Sequence, residues 1–158
     1  LSTQKLLKIL GIQAGIVMLA VFAYLAYDAD AVYEWLSGDI VFGAPPAPCD
    51  LQTQACEGTL GDGTAVTFAI SPRPIPVMEK LQLSVRGDNI PYRTLEVEIY
   101  GLNMNMGRYK YTLSPDANGT YRSEGMIPSC VGEMQWRANI IAEAPTARYG
   151  TFFTFTTE

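Results

Sequence analysis

Histidine is absent from all 158 residues, and several chemistries go with it. A Ser-His-Asp or Cys-His nucleophile has no base, the usual catalytic zinc site has no imidazole ligands, and a blue-copper centre, which takes two histidines and a cysteine, cannot be assembled. No other nucleophile and base can be named as a pair, so the chain is not read as an enzyme. Basic residues are scarce too: 11 Lys and Arg stand against 16 Asp and Glu. Two of the 11, Lys5 and Lys8, lie at the N-terminus, and beyond them nine basic residues face all 16 acidic ones, a formal charge of −7. Phosphate backbones are bound through clustered Lys and Arg, which argues against a nucleic-acid partner. Internal repeats and low-complexity segments are also missing.

Charge itself is absent from residues 9–27, "ILGIQAGIVMLAVFAYLAY". This run is close to the roughly 20 residues that an α-helix needs to cross a hydrocarbon core of about 30 Å. A buried core helix or a signal peptide is the competing reading. A signal peptide has a shorter apolar run that ends in small residues, whereas this one ends in aromatics suited to a membrane interface. Residues 1–28 therefore read as an uncleaved membrane anchor. Lys5 and Lys8 precede it and Asp28, Asp30, Glu34 and Asp39 follow it. The positive-inside rule then places the N-terminus in the cytoplasm and the rest outside, as a single-pass inner-membrane protein with a periplasmic domain. Gly11 and Gly15 form a small-xxx-small pattern for close helix packing, or else the ordinary glycine content of a span.

Residues 29–48 read as a juxtamembrane segment. Val32, Trp35 and Leu36 at helical spacing suggest a short amphipathic helix within 28–42, and the Pro-rich "GAPPAP" follows as a linker. From 49 to 158 the pattern changes to period two. The runs 64–70, 80–85, 94–100, 107–113, 119–127, 133–141 and 149–157 alternate and are rich in β-branched and aromatic residues. Turn chemistry separates them, as in "SPRPIP" and "SPDANG". A further short strand at 55–60 can pair with the first through "GDG" at 61–63. The expected fold is mainly β, an antiparallel immunoglobulin- or cupredoxin-like sandwich, with a closed barrel as the alternative. Trp136, in the alternating series Met134, Trp136, Ala138, Ile140, is expected in the core between the sheets.

Cysteine is limited to three residues. Cys49 and Cys56 bracket a short loop, and in an oxidising compartment they are expected to form a disulfide. Free thiols or a metal pair are the alternatives, though the spacing is not that of a CxxC site. Cys130 is left over. Glu96 and Glu98 sit at i, i+2 opposite Leu95, Val97 and Ile99, and the expectation for them is a solvated strand face.

The remaining chemistry lies in sulfur. Met104 and Met106 in "GLNMNMG" project to the same side if they lie on a strand. Cys130 and Met134 flank "VGE". Thioether and thiolate are soft ligands that select Cu(I), which accepts two to four of them without strict geometry. The competing reading is core filling, the usual role of Met and of an unpaired Cys. The polar residues alternating with the methionines favour a loop or strand end.

An N-terminal span followed by a small extracytoplasmic β-sandwich, with "GLNMNMG", "NGTYRSEGMIP" and "GEMQWRA", resembles the FixH/YtkA-like proteins of bacterial haem-copper oxidase assembly. The resemblance implies a membrane-tethered role in copper handling or oxidase assembly, with an integral-membrane respiratory complex as partner. Met104, Met106, Cys130 and Met134 are then the expected Cu(I) ligands. The alternative is a metal-free accessory subunit or interaction module of a membrane complex.

Overall fold

The computed structural model describes residues 2–26, 35–36 and 38–158. The chain divides after Asp39 into a helical unit and a β unit, Ile40–Glu158. The helical unit is α1 (Thr3–Ala26), 24 residues, which at 1.5 Å per residue is about 36 Å long. None of its side chains is buried, and it is long and apolar enough to cross a membrane. Gly11 and Gly15 lie one turn apart on it, with nothing within 4 Å of where a Cβ would stand. Of the expected amphipathic helix, Val32 lies outside the described residues, while Trp35 and Leu36 are helical and exposed.

The β unit is mainly antiparallel, as the alternation requires. Its strands are β1 (Ile40–Phe42), β2 (Cys56–Thr59), β3 (Ala65–Ser71), β4 (Leu81–Arg86), β5 (Leu95–Gly101), β6 (Arg108–Pro115), β7 (Tyr121–Gly125), β8 (Met134–Glu143) and β9 (Arg148–Thr157). They follow the order β1-β9-β8-β5-β6-β7-β4-β3-β2. Strand β6 pairs with β5 from Arg108 to Leu113 and with β7 only at Ser114 and Pro115. It thus passes from one sheet to the other, and the nine strands curl into two facing layers. Residues 40–42, expected in the juxtamembrane segment, are instead an edge strand, and its pairing with β9 is parallel. The sheet is therefore mixed.

Between the layers the apolar halves of the strands meet. Val66, Phe68 and Ile70 of β3 and Leu81, Leu83 and Val85 of β4 face Val97, Ile99, Trp136, Ile140 and Phe153, all buried. The Phe68 and Phe153 rings stack at 5.7 Å. Trp136 is fully buried, as expected, and its indole N–H donates to Thr157 Oγ1 at 2.9 Å. That bond satisfies its one polar atom. The Cys49–Cys56 disulfide is formed and carries the fully buried Leu51 inside its loop. A loop of this length limits the unfolded chain enough to stabilise the fold by about 2.5 kcal/mol.

One expectation is corrected. Glu98 is only 3% exposed, so β5 does not turn a solvated carboxylate pair outward. Arg108 lies 3.4 Å from Glu98 Oε2, and Asn139 Nδ2 donates to the same oxygen. Arg137 donates to Asn139 Oδ1 and covers the Phe152 ring at 4.0 Å. Long side chains from β6, β8 and β9 thus roof the outer face, because an Arg stem is apolar enough to lie across its neighbours. Glu96, beside Arg148 and Lys110 at 3.8 and 3.7 Å, is only partly covered. Burial raises its pKa, Arg148 draws it back, and Glu98 and Glu143 add to the rise.

Candidate metal centre

Antiparallel pairing sends β3, β5 and β7 the same way, so the connections that follow them share one end of the β unit. Met18 belongs to α1. Every other methionine, and the free cysteine, lies at that end: Met78 after β3, Met104 and Met106 after β5, Met126 after β7, Cys130 further along, and Met134 at the start of β8. The connections at the opposite end, 60–64, 87–94, 116–120 and 144–147, contain neither.

Met104 and Met106 lie in a loop, the placement their alternating polar neighbours favoured, and not on a strand that would turn both to one side. Residues 102–106 form a loop between β5 and β6, because two asparagines take their backbone partners elsewhere. Asn103 Nδ2 donates to Glu133 O at 2.9 Å, and its Oδ1 accepts from Gln135 N at 3.0 Å. Leu102 N donates to Gln135 O at 2.8 Å. Asn105 Oδ1 accepts from Gly107 N, an Asx turn that reverses the chain toward β6. The two methionines therefore point differently. Met104 is 46% exposed, whereas Met106 packs against the core and its carbonyl accepts from the Tyr109 hydroxyl at 2.8 Å.

The asparagine stitching draws the β5–β6 loop against the β7–β8 loop. Cys130 Sγ then donates to Met104 Sδ at 3.2 Å. Two sulfurs sharing a metal at about 2.3 Å each, at a tetrahedral angle, would stand about 3.8 Å apart. The pair is already within that reach. Met134, 2% exposed, lies behind it. A Cβ on Gly101 would fall 2.4 Å from Met104 O and 2.9 Å from Met134 Cε. Only a glycine lets the Met104 backbone and the Met134 thioether approach the same point of β5. Of the four expected ligands, Met104 and Cys130 are in contact, Met134 adjoins the Met104 backbone, and Met106 is turned into the core margin.

Comparison with protein-family models, curated proteins and solved structures finds no match.

Among the described residues no group of three or more His, Cys, Asp or Glu could hold a metal. The donors gathered at this end, thioethers and one thiol, are soft. A groove of about 940 Å³ runs elsewhere, between 44–47 and strands β2 and β3, with Arg86 and Asp88 in its wall and no sulfur. Met78 and Met126 are the residues that reading the sequence missed. Each stands alone in its segment, and only the common direction of β3, β5 and β7 brings them to the end occupied by the others.

Proposed function

We propose that the protein is a membrane-tethered Cu(I)-binding factor, with Cys130 and Met104 as the primary ligands and Met134 or Met106 completing the set. The observation that carries this reading is the Cys130–Met104 sulfur contact of 3.2 Å between two loops. On binding, the thiol loses its proton, and the thiolate neutralises the ion while the thioether adds a second soft donor. Met104 is nearly half exposed, more than a core-filling side chain would be, while Cys130 packs at the core margin. The resemblance to FixH/YtkA-like proteins supports the same reading and extends it to supply or protection of the copper site of a respiratory haem-copper oxidase. In that role α1 is a single-pass anchor with a cytoplasmic N-terminus, by its flanking charges, and the β unit works in the periplasm.

The test is an anaerobic Cu(I) titration of the reduced full chain in detergent micelles against a chromophoric chelator. The expected result is one tightly held ion, lost in Met104→Leu with Cys130→Ser, while the fold is kept because Leu conserves the volume of Met. Equal retention of copper by that double variant would refute the assignment.

A further inference from the structure

We infer that Met78 and Met126 form a second, outer position for a soft monovalent cation, Cu(I) or Ag(I), from which the ion passes to Cys130 and Met104; the inference rests on the reading of that inner pair as a metal site. Met78 N donates to Ile127 O at 2.8 Å, so the end of the β3–β4 connection lies against the residue next to Met126. Met126 is held from the other side by a single phenol. Tyr111 Oη donates to Met126 O at 2.7 Å and accepts from Met126 N at 3.2 Å. Both backbones are therefore fixed.

Their side chains are open to solvent over about half of their surface or more. Met78 is 62% exposed and Met126 47% exposed, while the neighbouring Ile127 and Ile75 are the buried anchors of these segments. Met78 also has φ 59, a left-handed conformation that among the described non-glycine residues only Asn89 shares. A Met fixed in a conformation unfavourable to a Cβ, and left in water, gains nothing from burial. What it offers is a sulfur. Thioether chains are unbranched and flexible, so two on adjoining segments can close on one ion from the solvent side. Cu(I) accepts two such donors.

The two positions differ in charge. Two thioethers leave the ion its positive charge, whereas the Cys130 thiolate neutralises it, so the inner pair holds the ion more tightly. From Met126 to Cys130 the chain advances four residues, at most about 14 Å when extended. An ion received at the outer position is thus one loop away from the inner one, and the outer position serves for exchange.

The experiment uses Ag(I), which is redox-inert here, with the reduced full chain in detergent micelles, and counts bound metal after equilibrium dialysis at rising free Ag(I). Two equivalents of different affinity are expected. Met78→Leu with Met126→Leu should remove the weaker equivalent and keep the tighter one, and Met104→Leu with Cys130→Ser should do the reverse. Near-UV circular dichroism checks that each variant is folded. One equivalent in the wild type, or two still bound by the Met78/Met126 variant, overturns the outer position and leaves the inner reading standing. If the Met104/Cys130 variant keeps both equivalents, the inner reading fails. No silver bound at all overturns both.

Discussion

Several carboxylates set how this fold responds to acid, and they do not all pull the same way. At Asp116, the Arg122 guanidinium at 2.8 Å and the N–H groups of Thr120 and Asn118 hold the carboxyl below its ordinary range. At Asp62, burial pulls the pKa up, but hydrogen bonds from the Tyr92 phenol and from Thr64 outweigh it and the net shift is downward. Burial and the same contact push Tyr92 up to about 12. Both aspartates are thus more acidic folded than unfolded. Their stabilisation is complete above the unfolded value of about 3.9 and is lost as the pH falls through the lower folded values. Glu96, with its raised pKa, acts oppositely: its ionisation opposes folding, and that opposition disappears as the pH falls below the raised value. Urea unfolding of the full chain in micelles should therefore show stability falling on the acid side of pH 4. Asp116→Asn should flatten that fall, since it leaves one fewer acidic group to protonate. An unchanged slope in the variant would show that the Arg122 contact does not persist in solution. Glu98 invites a different test, because its oxygens are buried beside Arg108 and Asn139. Glu98→Ala removes the buried acceptor that Arg108 and Asn139 share and should cost about 2–3 kcal/mol in thermal or urea denaturation. A cost under about 0.5 kcal/mol, the range of an ordinary surface substitution, would mean the face is solvated after all.

At the scale of elements, the two free edges of the folded sheet come together at a glycine. A Cβ on Gly61, just after β2, would lie 2.0 Å from the carbonyl oxygen of Val41 in β1. Two edge strands can thus shelter each other, which limits the pairing with other chains that an open edge invites. Gly61→Ala should push the edges apart, lowering stability by about 2 kcal/mol or more, because backbone and not a pliable side chain occupies the space. Hydrogen exchange should rise at 40–43 and stay unchanged in β5 and β8; uniform protection would contradict the contact. Strands β3 to β9 were legible in the sequence from their alternation, a signal that needs no knowledge of their neighbours, and β2 from the "GDG" turn that joins it to β3. The edge strand "IVF" was not, since three residues show no period and only β9 gives them a role. Glu98 misled for a related reason. Alternation tells which residues leave the inner face but not what lies over them, and here Arg108 of β6 and Asn139 of β8 close over Glu98. The loop form of "NMNMG" was half legible: its polar alternation marked a loop or strand end, while the asparagine bonds to 133 and 135 depend on a partner some 30 residues away.

For the whole molecule, the asymmetry of sulfur is the fact that demands a function. All five methionines of the β unit and its free thiol gather at the end where β3, β5 and β7 finish, and the other end has none. Single positions in the sequence pointed to four of these residues. Grouping all six needed the strand directions, which are properties of the topology. A helix long and apolar enough to cross a membrane precedes this unit; in the proposed role, a tether of that kind would raise the effective concentration of the β unit for a membrane-bound partner. The account stands or falls on what surrounds the ion. X-ray absorption at the copper edge of the full chain, loaded with one equivalent of Cu(I) under argon, reads the ligands directly. The prediction is a first shell of two or three sulfurs at about 2.3 Å, reduced by one in Met104→Leu; a shell of oxygen and nitrogen alone, or a sulfur shell that Met104→Leu leaves untouched, would contradict it.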